Sequence, residues 1–209
     1  MYDESLELFI EELGEPTSPR IVQYDEMVRF KGQLPDKLLS YWSLVGWSGF
    51  SNGLFWLTNP TDFDHLVNLW LEGTGFLEHD KYRVIGRSAF GKLYLMGEKT
   101  HQTITINCPM HAIIAMKNHL SKCSKDPDDA VEVFFAMSDK DRYDIEDVND
   151  ASLFDQALKN LGPLAPNEVY GFEPILAAGG TLLVDNLTKL DLDIHLTLLR
   201  HMGPPKIPF

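Results

Sequence analysis

The chain has 209 residues, 44% of them hydrophobic, and a formal charge of -13 from 31 acidic against 18 basic side chains. That is enough apolar material to bury a sizeable core in one large domain or two small, closely packed ones. The acidity argues against direct nucleic-acid binding, which relies on Lys and Arg to displace phosphate counterions, and favours a basic protein partner, although solubility alone also accounts for it.

The N-terminal stretch MYDESLELFIEELGEP is acidic and amphipathic. It lacks the basic and continuous apolar segments of a signal peptide, and no apolar run reaches the roughly 18 residues of a membrane span. With only Cys108 and Cys123, in no CxxC or Cys/His spacing, a cytoplasmic protein without membrane association is expected.

In chain order, Leu6, Phe9, Ile10 and Leu13 predict a short amphipathic helix over 3–13, closed by Gly14 and Pro16. Weak alternation over 21–30 predicts a short strand. Pro35 opens a helix through Leu38, Leu39, Trp42 and Val45 to Gly46, residues 48–52 read as a glycine-containing turn, and residues 53–58 read as a buried strand. Pro60 begins a further helix with a wide apolar face. Segments 83–88, 92–97, 103–107 and 112–115, separated by turn residues, then read as an antiparallel meander.

Residues 120–129 are polar and contain Pro127, the best candidate boundary between segments 1–120 and 121–209, which are expected to pack as one globular unit. Helices are predicted around 130–137, over 151–161 before Gly162-Pro163, and from about 192 to 201. Between the last two, residues 168–174, a turn at Gly179-Gly180 and an apolar segment over 181–190 complete the chain. The fold class expected is α+β, an antiparallel meander with flanking helices.

Two stretches attract a functional reading. SDKDRYDIEDVNDASLFD holds Asp139, Asp141, Asp144, Glu146, Asp147 and Asp150, and its first aspartates resemble a calcium loop. Tyr143 at the third ligand position and Asp144 where the turn glycine belongs break that pattern, leaving a solvated loop or an anionic patch for a cationic partner. Trp47 and Phe50 fall in the glycine turn, where exposure would make them aromatic anchors of an interface; the core is the alternative for them as for Trp42, Phe55, Trp56 and Trp70.

No catalytic set is legible. His195 and His201 are six apart and on different helix faces, which excludes the i, i+4 pair of a helical zinc site. GRSAFG at 86–91 partly matches a nucleophile elbow, but its neighbours read as a hairpin instead of strand and helix. No metal or cofactor is expected, and no enzyme activity.

The stretches LPDKLLSYWSLVGWSGFSNGLFWLTNP (34–60) and RSAFGKLYLMGE (87–98) resemble the GAD-like domain at the N-terminus of bacterial immunity proteins. NEVYGFEPILAAGG (167–180) and HLTLLRHMG (195–203) resemble the small domain that accompanies it, and the whole is more distantly similar to the SUKH group. The resemblance implies an immunity protein that binds and neutralises a cognate type VI secreted DNase toxin, a basic nuclease encoded beside it. It supplies no catalytic residues. The rival readings are a hydrolase whose groups only the fold assembles, and a housekeeping interaction module.

Overall fold

A computed structural model of the chain describes residues 2–121 and 126–207. Its elements are α1 (Glu4–Leu13), β1 (Thr17–Arg20), α2 (Tyr24–Val28), α3 (Asp36–Val45), β2 (Trp47–Phe50), β3 (Phe55–Leu57), α4 (Asp64–Leu71), α5 (Phe76–His79), β4 (Tyr82–Ser88), β5 (Lys92–Gly97), β6 (Thr103–Asn107) and β7 (Ala112–Ile114). They continue with α6 (Pro127–Ala136), α7 (Lys140–Tyr143), α8 (Leu153–Leu161), β8 (Glu168–Phe172), β9 (Leu187–Asp191) and α9 (Leu192–His201).

Strands β1 to β7 form one antiparallel sheet in sequence order, and β8 and β9 pair as a separate ribbon. The fold is α+β, as the alternation of periodicities implies. The expected meander is β4 to β7, but it is extended on one side by three further strands. Both faces of the sheet are covered. Tyr94 and Met96 of β5 point into a core with α1, α3, α6 and α8, whereas Leu93 and Leu95 join Leu66, Trp70, Leu196 and Leu199 from α4 and α9. Period-two alternation thus feeds two cores from one strand.

Each core draws on residues from both sides of the expected boundary. Phe9 and Tyr41 meet Phe135, with ring centroids at 4.9 and 4.8 Å, and Phe55 meets Tyr143 at 4.3 Å. Polar ties cross as well. The Asp128 carboxylate accepts from the Lys37 amide at the start of α3 (2.9 Å), Trp70 Nε1 donates to the Leu196 carbonyl (3.1 Å), and the Tyr170 amide donates to the Ala89 carbonyl (2.9 Å). Of the boundary segment itself, residues 122–125 lie outside the described residues, and Pro127 begins α6.

Two expected elements are corrected. Residues 21–30 hold helix α2 instead of a strand, because the Glu26 carboxylate accepts from the Gln23 amide at its start (3.1 Å); no residue of this helix is buried, so no periodicity marked it. The strand lies upstream, at β1. Residues 48–52 are not a turn: Trp47–Phe50 is strand β2, paired with β1 and β3, and the reversal falls at Ser51–Gly53, where Asn52 has φ 55°. Gly49 lies close against the Trp56 ring, which a Cβ at this position would meet at 3.1 Å.

Candidate functional site

A cleft of about 600 Å³ opens where the C-terminal end of α1, the β2–β3 turn and the segment from α7 to α8 meet. Among the described residues six carboxylates line it: Glu11, Glu12 and Glu15 on one side, Asp141, Asp144 and Asp155 on the other. Lys140 is the cation among the described lining residues. Glu11, Glu12, Glu15, Asp141 and Asp155 have no ion-pair partner among the described residues, so their charge is available to solvent or to a partner.

The acidic segment is built by its own side chains. Asp139 caps α7 by accepting from the Arg142 amide at 2.7 Å. Asp144 Oδ1 accepts from the amides of Ile145 and Phe154 at 2.7 and 3.0 Å, and its Oδ2 accepts from the Ser152 hydroxyl at 2.5 Å. Asp147 accepts from the amides of Asn149 and Ala151 and from Gln156 Nε2. Backbone bonds from Leu153 to Ile145 and from Asp147 to Ala151 close a short ribbon, with Asp150 at its turn (φ 60°). This division follows from chemistry: a carboxylate that satisfies several amides replaces a ladder in irregular backbone.

The six acidic candidates therefore separate. Asp144 and Asp147 are structural, Asp139 is a cap that remains exposed, and Asp141, Glu146 and Asp150 are exposed without ion-pair partners among the described residues. Burial pushes the Asp144 carboxyl above the usual carboxylate range despite its hydrogen bonds, whereas Gln156, followed by the Ala151 and Asn149 amides, holds Asp147 below it.

The aromatic candidates are corrected. Trp47 is 4% and Phe50 0% exposed, because both lie in β2, between β1 and β3. Trp47 packs edge-on against Trp42, and Phe50 against Phe9 at 4.9 Å. Neither offers an exposed anchor. The side chains that sequence reasoning missed are Glu11, Glu12 and Glu15, which α1 carries to the same cleft as a segment some 130 residues later; their signal was an acidic run at a helix end.

The elbow-like motif is a hairpin. Ser88 is buried, and its Oγ accepts from the amides of Phe90 and Lys92 at 3.3 and 3.2 Å. Among the described residues no three His, Cys, Asp or Glu side chains converge as a metal centre would require, and no helix is long and apolar enough to cross a membrane. His195 is buried and His201 exposed on α9.

The described residues thus form two cores common to both segments and an acidic cleft at their junction. The family model described as GAD-like domain matches residues 4–110, and that described as T6SS immunity protein Tdi1, C-terminal, matches residues 128–203. The chain belongs to the type VI secretion immunity family that joins a GAD-like domain to a Tdi1-type C-terminal segment. No curated protein matches it significantly. The crystal structure of Atu4351 from Agrobacterium tumefaciens is similar with a TM-score of 0.84 and 24% identity, over 96% of this chain and 90% of that one, which shows a shared fold.

Proposed function

We propose that this chain binds and neutralises a cognate type VI secreted DNase toxin in the cytoplasm of the cell that makes it, acting as a stoichiometric inhibitor without catalysis of its own. The immunity role comes from the family, and the observation that carries the mode of binding is the acidic cleft with its flanking ribbon. Asp139, Asp141, Glu146 and Asp150, together with the carboxylates of the α1 end, stand where a basic nuclease would otherwise meet DNA phosphates. Asp144 and Asp147 contribute by shaping that surface.

Charge of this sign steers a cationic partner in and raises its association rate, an effect that salt suppresses. The test is co-expression with the toxin encoded by the adjoining gene, scoring survival, chromosomal DNA integrity and co-purification. Rescue with a stable complex is expected, and the absence of both would overturn the reading. Reversing Asp141, Glu146 and Asp150 to lysine tests the surface separately: the expected result is a loss of at least about tenfold in toxin affinity, mostly in association rate. Unchanged affinity in a folded variant would place the toxin elsewhere.

A further inference from the structure

We infer that Lys92 is a positioning residue for this acidic face, anchoring the ribbon from within without forming an ion pair with its outer carboxylates. The inference rests on the reading of that ribbon as the docking surface. Lys92 opens β5, and its ammonium donates to the carbonyls of Asp144 at 2.6 Å and Arg142 at 3.3 Å. Two residues on, and so on the same face of the strand, the Tyr94 hydroxyl donates to the same Arg142 carbonyl at 3.1 Å.

In a chain with 31 acidic side chains, Lys92 forms no ion pair among the described residues; the charge of Asp144, which itself shapes the ribbon, acts on its ammonium only through space. Burial pushes its ammonium below the usual lysine range, so the position bears a cost that a methionine of similar length would not. What the charge does there is satisfy orphan carbonyls at the end of α7, which has only four residues and cannot satisfy them internally.

The second cation at the base of the ribbon is also turned away from its acids. The Arg142 guanidinium lies over Phe134 at 4.7 Å, Tyr94 at 5.4 Å and Tyr143 at 5.8 Å, held by three rings. Both cations thus grip backbone or aromatic faces, and the outer carboxylates are left without ion pairs among the described residues. Had either formed an ion pair with Asp139, Asp141 or Glu146, the ribbon would be fixed at the expense of the potential that attracts a basic nuclease. A surface fixed in advance also binds with less ordering entropy lost.

The test uses the full chain with Lys92→Met, Lys92→Arg and the near-isosteric Tyr94→Phe, none of which alters a surface carboxylate. Two quantities are measured: hydrogen exchange of the amides from Arg142 to Phe154, and affinity for the catalytically inactivated toxin encoded beside this chain. Lys92→Met is expected to speed exchange there by roughly tenfold or more, with β4 to β6 unaffected, and to weaken toxin binding by a similar factor. Lys92→Arg, which can donate to the same carbonyls, restores both in part, and Tyr94→Phe gives a smaller change in the same amides. If Lys92→Met fails to fold, Tyr94→Phe carries the test.

Unchanged exchange in the ribbon overturns the inference. Faster exchange with unchanged toxin affinity also overturns it, provided that reversing Asp141, Glu146 and Asp150 does weaken binding. If that reversal is silent too, the failure belongs to the docking surface.

Discussion

The β2–β3 hairpin and the ribbon from Asp139 to Asp155 line the same cleft, yet they are held in opposite ways. The hairpin turns Trp47, Phe50, Phe55 and Trp56 inward and shows the cleft little beyond Ser51, Asn52 and Leu54. The ribbon buries Tyr143, Ile145, Leu153 and Phe154, but its backbone is shaped by hydrogen bonds to Asp144 and Asp147, and its other carboxylates stay outside. One wall is fixed by ring packing and the other by local polar bonds. Damage to the first should spread through the core, and damage to the second should stay where it is made.

The harshest test of that contrast is to end the chain after Ser121. The hairpin would then lose Tyr143 from Phe55, α1 and α3 would lose Phe135 from Phe9 and Tyr41, and β4 and β5 would lose cover on both faces. The fragment is expected to show no cooperative thermal transition. A sharp melt would mean that the GAD-like segment holds a core of its own and that the two walls belong to separate units.

Next in size is Phe50→Ala, which removes a fully buried ring from contact with Phe9 and Phe55 and should cost about 3–5 kcal/mol in urea denaturation. Asp141→Ala, on the opposite wall, should fall within about 0.5 kcal/mol of the parent. Similar losses in the two variants would abolish the distinction between a packed wall and a polar one.

How much of this was legible varied with the kind of signal. Helices α3, α8 and α9 and strands β4 to β7 could be read because apolar periodicity and punctuation by Gly46, Gly91 and Gly162 agreed. Strand β2 was hidden because Trp-Ser-Gly-Phe carries a glycine that reads as a turn; in the sheet it lies opposite Trp56 and against its ring, a cross-strand fact. Trp47 and Phe50 were misplaced for the same reason. The acidic ribbon was visible as composition, but nothing local distinguishes Asp144, which accepts three hydrogen bonds, from Asp141 three residues earlier. The cleft itself needed Glu11 to Glu15 beside Asp155, a meeting created by the packing of α1 against α6.

The smallest effect sharpens the account of the polar wall, because its two structural carboxylates should leave opposite marks on stability against pH. Asp144 has a raised folded-state pKa, chiefly from burial, so between the unfolded value of about 3.9 and that higher value the folded chain binds more protons than the unfolded one. Stability from this group is present below the window and is lost as pH rises through it; Asp144→Asn should remove that loss. Asp147 has a depressed folded-state pKa, first through Gln156, so its contribution is present above about 3.9 and is lost as pH falls through the lower folded value. Asp147→Asn should flatten the acid side of the profile instead. Urea midpoints between about pH 2 and 7 distinguish the two, and profiles parallel to the parent in both variants would show that the ribbon is held by its apolar residues after all, as the hairpin is.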